Sequence, residues 1–410
     1  MRRNDARNPA TYRWVILAVL WFTLLVSYFD RVAIAAALPF LSADLGLTPA
    51  EMGLVSGALL LSYTLVQVPA GYLSDRFGQR RIILIALVWW TVFSVLTGAA
   101  WNLLVLLAIR FVMGAGEGFH PPPLWRMLSN WFAPGRRSLP LALMLTALTL
   151  GPALAPSIAL PLVSGLGWRW VFFLTAVPGV LAVILVVRYL RDSPEHADLT
   201  VHTTPRPNSG RRSWWVPHIF LTFAAFFFFG FVLYGLMSWL PTYLITYRGL
   251  EITSAGVLST TPYVAGTAGL LIGAAVCQRW FNDVRRRFIA VGYLATALCI
   301  VGTVAAPTVT LAGIALTLAG FFLYSGLGPF WSVPMDVVAP HEVGTWLGFI
   351  NMGTQIAGFV GPVVIGALIQ ATGSFEPVLV AMIVSMVLAA LCLSLVRART
   401  PTTPQPVATP

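Results

Sequence analysis

Residues 14–38 read WVILAVLWFTLLVSYFDRVAIAAAL. A helix needs about 20 apolar residues to cross a bilayer, and this run supplies 25 with no glycine or proline to break it. Its two charges, Asp30 and Arg31, sit side by side in the second half. The run has a basic flank but is too long for a signal-peptide core, and no small-residue cleavage site follows, so it is read as a retained helix. The same template fits eleven more times, at 52–73, 82–100, 103–128, 139–163, 168–190, 217–247, 254–277, 288–306, 308–338, 344–370 and 378–396. Across all 410 residues, 58% are hydrophobic and 10% charged. That balance excludes a soluble globule and a disordered chain, and neither a Gly-X-Y period nor a heptad charge pattern supports a rod. An all-α membrane protein with 12 transmembrane helices is expected, embedded in the lipid bilayer.

Arginine placement orients the chain, because positive loop residues collect on the cytoplasmic side. There is no lysine. Arg2, Arg3, Arg7 and Arg13 precede the first run. The loops after runs 2, 4, 6 and 8 hold Arg76, Arg80 and Arg81, then Arg136 and Arg137, the 191–212 segment, and Arg279 with Arg285, Arg286 and Arg287. The opposite loops show only Arg169 and Arg248. Both termini are therefore expected in the cytoplasm, in a bacterial plasma membrane. The net charge of +11 reports this loop topology and implies no nucleic-acid partner. We expect a cytoplasmic N-terminus at 1–13, a six-helix bundle at 14–190, a cytoplasmic linker at 191–216, a second bundle at 217–397 and a tail at 398–410. The bundles share spaced residues. Leu38-Pro39, Gly46-Leu47 and Gly53 recur as Leu240-Pro241, Gly249-Leu250 and Gly256, offset by 202 or 203, and Gly151-Pro152 recurs as Gly361-Pro362, offset by 210. Two similar halves joined at a linker are the architecture of alternating access.

Between runs 2 and 3 the chain reads GYLSDRFGQRR at 71–81. Gly71 and Gly78 permit a tight turn between helices. Asp75 can meet a neighbouring helix N-terminus, and Arg76, Arg80 and Arg81 can pair across a cytoplasmic gate. A loop that only set orientation would need arginines, but not glycine and aspartate at fixed places. This stretch resembles the loop signature of the major facilitator superfamily, and that resemblance implies two pseudo-symmetric six-helix halves. Other residues resemble one branch, the anion:cation symporter family, which carries sugar acids and other organic anions. They are Tyr28-Phe29-Asp30-Arg31 with Leu38-Pro39; Arg110, Gly114, Glu117, Gly118, Pro121 and Arg126; Tyr234 with Trp239-Leu240-Pro241; and Asn351 with Gly361-Pro362.

Charges inside a span cost several kcal/mol, so each is a functional candidate. From a rise of ~1.5 Å per residue, Asp30 lies about 12–15 Å below the outer end of run 1 and Arg110 about 11 Å below that of run 4. An Asp30–Arg110 ion pair is expected from these depths, and the resemblance implies the same pair. Asp30 and Arg31 point about 100° apart, so with Asp30 facing run 4, Arg31 faces the cavity and can hold a substrate carboxylate through its guanidinium fork. Glu117, seven residues after Arg110, brings a second carboxylate nearer the membrane centre. Asp30, Glu117 and Arg110 are thus the expected proton-coupling set, and Arg31 the expected anion site. A structural network locking helices 1 and 4 together is the alternative. An inner-gate bridge involving Arg126 and Asp336 is a lesser expectation, and His120 is read as a hydrogen-bonded packing residue.

The spans that line the central cavity in the resembled family carry Tyr28, Tyr63, Tyr234, Trp239, Trp331, Ser332, Asn351 and Gln355 as further candidate substrate contacts. Departures from the family's pattern bear on the substrate. Arg136 and Ala133 replace an acidic residue and a proline, Leu148 stands where sugar-acid carriers commonly place a glutamine, and Phe226 to Phe229 are consecutive. A polyhydroxylated acid needs many hydrogen-bond partners, so these changes lean towards a less hydroxylated or aromatic carboxylate. Symport of an organic anion with protons is the expected function. The alternatives are a proton-coupled efflux antiporter and a membrane-embedded enzyme, and no clustered His, Asp and Glu supports the enzyme. Cys277, Cys299 and Cys392 lie in apolar runs and imply no metal site, and we expect no cofactor and a monomer.

Overall fold

The computed structural model describes residues 9–132, 138–192, 216–334 and 343–396, and they form helices joined by short turns. In chain order these are α1 (Pro9–Leu45), α2 (Pro49–Phe77), α3 (Gln79–Gly98), α4 (Leu103–Gly118), α5 (Pro121–Trp131), α6 (Ser138–Leu145), α7 (Ala147–Leu166), α8 (Trp168–Tyr189), α9 (Val216–Thr242), α10 (Ile252–Trp280), α11 (Arg285–Ala305), α12 (Val309–Ser325), α13 (Leu327–Phe330), α14 (Val343–Thr372) and α15 (Glu376–Leu395). Among the described residues, 12 stretches are long and apolar enough to cross a membrane.

Three expected spans are interrupted, each for a local reason. Run 4 divides into α4 and α5 at Phe119 and His120, where Pro121, Pro122 and Pro123 lack the N–H groups a continuous helix needs. Pro121 instead opens the next helix, where an absent donor costs nothing. Run 5 divides at Thr146 into α6 and α7. Run 10 becomes α12 and the single turn α13, after Gly326. Most of the expected linker, the loop with Arg136 and Arg137, Ala133, Asp336, the tail and residues 1–8 lie outside the described residues.

The repeat read from sequence has structural counterparts. Gly46 and Gly249 both turn the chain with positive φ, at 66° and 64°, a conformation that side-chain-bearing residues rarely adopt. Helix α2 packs on α14, and α10 on α7. A Cβ at Gly53 would collide with the carbonyl of Pro362, and one at Gly366 with that of Pro49. The related pair runs from Gly256 to the Pro156 carbonyl and is fixed by hydrogen bonds from Thr260 to the Ala153 carbonyl (2.8 Å) and between Thr267 and Thr149 (2.7 Å). At the end of the bundle bearing Gly46 and Gly249, the helices are therefore closed on one another. Moving along α2 in helical steps from Gly57, Leu61, Leu65 and Tyr72 are exposed, as is Met352 on the facing stretch of α14.

Candidate functional site

The centre of the bundle is organised by glycines on α4. A Cβ at Gly114 would meet the Leu59 carbonyl, and one at Gly118 the backbone of Tyr63, so their absence draws α4 against α2. That approach brings Glu117 and Tyr63 to the same place. Glu117, fully buried, accepts a 2.7 Å hydrogen bond from Arg31 Nε through Oε2, and the same oxygen lies 3.5 Å from Ser27 Oγ. The Arg31 guanidinium is sandwiched between aromatic rings, 4.9 Å from the centroid of Tyr28 and 4.4 Å from that of Tyr63. Arg31 Nη1 and Glu117 Oε1 are buried and have no protein partner. From the other half of the chain, the Tyr234 hydroxyl comes within reach of Arg31 and donates to Gln355 Oε1 at 3.2 Å. Residues of α1, α2, α4, α9 and α14 thus converge on one guanidinium that still has a free donor.

The expected Asp30–Arg110 pair does not form. Asp30 accepts from Ser94 Oγ at 3.0 Å, and Ser94 in turn contacts Thr175 at 2.7 Å, so Asp30 faces α3 and α8. Arg31, one residue round the helix, is the one that faces α4. Depth along the axis is legible in a sequence, but the helix face turned to a given neighbour depends on packing. Arg110 is buried and lies in the electrostatic neighbourhood of Asp30 and Glu117, yet makes no contact within 4.0 Å of either carboxylate. Its Nη1 contacts Met113 Sδ at 3.7 Å, and its Nε has no partner. Glu117 therefore pairs with Arg31 instead of standing apart from it, so the arginine expected to hold the anion and the carboxylate expected to carry a proton form one ion pair.

The remaining candidates divide. Tyr28, Tyr63, Tyr234 and Gln355 surround Arg31, as described. Trp239 is buried and donates its indole N–H to the Pro362 carbonyl at 3.3 Å, which engages its polar atom in packing between α9 and α14. Trp331 packs edge-on against Phe226 at 5.0 Å beyond the end of α13, and Ser332 follows it. Asn351 is half-buried on α14, and its backbone carbonyl accepts from Thr354. His120 bonds Thr23 at 3.0 Å and sits edge-on to Trp90, a packing role as expected. Sequence reading missed Tyr263 on α10 and Tyr324 on α12. Both are buried within electrostatic reach of each other, Tyr324 also neighbours Tyr28 and Tyr234, and its hydroxyl has no partner. Their signal was polar hydroxyls in otherwise apolar spans, which is weak because tyrosines also settle at membrane interfaces.

The 71–81 loop corrects a second expectation. Asp192 at the end of α8, not Asp75, sits at a helix N-terminus, where it accepts from the Arg80 backbone N–H at 2.6 Å beside Gly78. Gly78 makes the turn with φ of 89°. Asp75 pairs with Arg126 on α5 at 3.2 Å, with both side chains about half exposed. Arg80 bonds the Val187 carbonyl in its own half, so it does not reach across a gate. Gly71 on α2 adjoins Pro122 on α5, while Arg76 lies over Phe77 and Arg81 is in the first turn of α3. Arg126 thus takes a bridge, with Asp75 as its partner.

This geometry, two related sets of spans meeting around a buried arginine, matches a known family along most of the chain. The profile of the Major Facilitator Superfamily matches residues 20–362. The chain belongs to that superfamily. It is a multi-pass membrane transporter and not an enzyme, as are the similar proteins. It is 30% identical to the probable sulfoacetate transporter SauU of Cupriavidus necator, over 89% of each chain. It is 27% identical to the hexuronate transporter of Bacillus subtilis over 88% of this chain and 89% of that one, and 26% identical to the D-galactonate transporter of Escherichia coli over 92% and 93%. The same fold occurs in a bacterial homologue of the human lysosomal transporter Spinster, solved in an inward-facing and occupied conformation. That structure has a TM-score of 0.76 at 20% identity, covering 93% of this transporter and 96% of the other.

Proposed function

We propose that this superfamily member is a proton-coupled symporter of a small organic anion, a carboxylate or sulfonate with few hydroxyls. The observation that carries the reading is the buried Arg31 with its free Nη1, stacked between two tyrosines and paired with Glu117 through a single nitrogen. An incoming anion finds a preorganised guanidinium, and hydroxyls of Tyr28, Tyr63 and Tyr234 with the Gln355 amide stand by as hydrogen-bond partners. In this reading the anion competes with Glu117 for the Arg31 charge and releases it from the pair. A buried carboxylate stripped of its counter-charge is costly, so it is replaced by the neutral acid, and anion binding draws in a proton. Competition for Arg31 is the coupling device. Asp30 is a second proton site, with Arg110 supplying positive field to both carboxylates. A small acidic substrate is in keeping with the similarity to proteins named for sulfoacetate as well as sugar acids.

In this reading both termini are cytoplasmic and the closed end of the bundle faces outward, in a monomer of the plasma membrane. Uptake into proteoliposomes from a panel of sulfoacetate, a hexuronate, D-galactonate and an aromatic acid tests it, with the outside acidic. Accumulation of one anion that collapses with an uncoupler is expected. Gradient-driven export of lipophilic cations with no anion uptake would instead place the protein among efflux antiporters.

A further inference from the structure

Three hydrogen-bond contacts run in series from Asp30 into α8. Asp30 Oδ1 lies 3.0 Å from Ser94 Oγ, Ser94 Oγ lies 2.7 Å from Thr175 Oγ1, and Thr175 Oγ1 lies 2.8 Å from the Phe172 carbonyl oxygen. All the groups are buried, so no bulk water can complete the set. Each hydroxyl has one hydrogen to give. Three contacts in series therefore need three hydrogens, and Ser94 and Thr175 own only two. The carbonyl can only accept. All three contacts can be hydrogen bonds at once only when the third hydrogen comes from the protonated carboxyl of Asp30; with Asp30 ionised, two of them are.

We infer that Ser94 and Thr175 are positioning residues for Asp30, a pair of hydroxyl rotors that reverse direction when Asp30 gains or loses its proton. With Asp30 protonated, its O–H donates to Ser94, Ser94 donates to Thr175, and Thr175 donates to the Phe172 carbonyl. All three contacts are hydrogen bonds. With Asp30 ionised, both rotors turn round: Ser94 donates to the carboxylate, Thr175 donates towards Ser94 or the carboxylate within its reach, and the Phe172 carbonyl keeps only its place in the helix. Neither charge state leaves a buried hydroxyl hydrogen without an acceptor, so the proton can be exchanged without moving a backbone. The charged groups near Asp30 are Arg110 and Glu117 on α4 and its own neighbour Arg31. From α3 and α8 it meets Ser94 and Thr175, and the facing helix α7 carries no titratable side chain. The relay rests on the reading of Asp30 as a proton site, and it extends that site from α1 into α3 and α8.

The test compares Ser94→Ala, Ser94→Thr, Thr175→Val and Thr175→Ser in proteoliposomes. The probe is whichever of sulfoacetate, a hexuronate or D-galactonate the unmodified protein accumulates with an acid-outside gradient. Two transport modes are read as external pH is varied, gradient-driven accumulation and anion exchange between equal pools. Ser94→Ala removes a donor to the ionised carboxylate and an acceptor for the protonated one, and because the charge-assisted bond is the stronger of the two, the pH of half-maximal accumulation should rise, by up to about one unit. Thr175→Val should shift it the same way by less, and Ser94→Thr and Thr175→Ser should restore the original profile. Exchange, which needs no net proton movement, should survive in Ser94→Ala. Difference infrared spectroscopy gives a second readout, because the C=O band of protonated Asp30 should move up when its hydroxyl acceptor is lost. An unshifted profile with an unmoved band in Ser94→Ala overturns the relay, as does loss of exchange that Ser94→Thr fails to rescue. Failure of the unmodified protein to accumulate any of the three anions against its gradient would instead overturn proton symport itself.

Discussion

Arg31 illustrates what one residue carries. Its Nε holds Glu117, its plane is stacked between Tyr28 and Tyr63, and Nη1 is unengaged. A lysine would keep the charge but lose the fork and the planar stacking. A desolvated cation–π contact is worth about 2 kcal/mol, so Arg31→Lys is expected to weaken anion affinity about thirtyfold, measured by radioligand competition. Glu117→Gln should leave binding intact at acid pH while weakening its pH dependence, because a permanently neutral side chain no longer competes for the guanidinium and only the Asp30 proton site remains. Which charges lie buried in the bundle was legible in the sequence: Asp30, Arg31, Arg110 and Glu117 stand out as charges in apolar runs. Their partners were not, because a rotation of one residue on α1 exchanges the faces shown to α3 and α4, and no feature of the sequence fixes that angle. The relay through Ser94 and Thr175 was invisible for the same reason, since hydroxyls in spans usually bond their own helix.

At the scale of helices, small residues decide how closely elements approach. Valine at Gly53 would drive into the Pro362 carbonyl and pry α2 from α14, whereas a Cβ at Gly165 would meet nothing within 4 Å. Overpacking of this kind costs roughly 1–3 kcal/mol, so Gly53→Val should slow transport about five- to hundredfold, and Gly165→Val should leave the rate unchanged in the same uptake assay. The Asp75–Arg126 bridge invites a contrasting expectation. Both partners are about half exposed, and such pairs contribute about 0–1 kcal/mol, so Asp75→Asn should alter the rate no more than about fivefold. The existence of the helices followed from hydropathy alone, and the break in span 4 from its three prolines. The break at Thr146 had no such marker, and the cap on α3 came from Asp192, distant in sequence and therefore unreadable from the 71–81 loop.

For the whole molecule, repeated turns and glycine contacts hold one end of the bundle closed, and the buried ion pair lies between contributions from both halves. The internal repeat was legible as matched Gly and Pro residues, and Gly46 and Gly249 share a backbone conformation. Which end is closed was not, because one sequence must support every state of an alternating-access cycle. In the proposed mechanism, coupling turns on an exchange in which the anion takes Arg31 and Glu117 takes a proton. Isothermal titration of the purified protein with its transported anion, repeated at one pH in buffers of different ionisation enthalpy, counts that proton directly. Uptake of about one proton per anion bound is expected near neutral pH for the unmodified protein, and clearly less for Glu117→Gln. Binding heats independent of the buffer, or proton uptake undiminished in Glu117→Gln, would contradict the exchange.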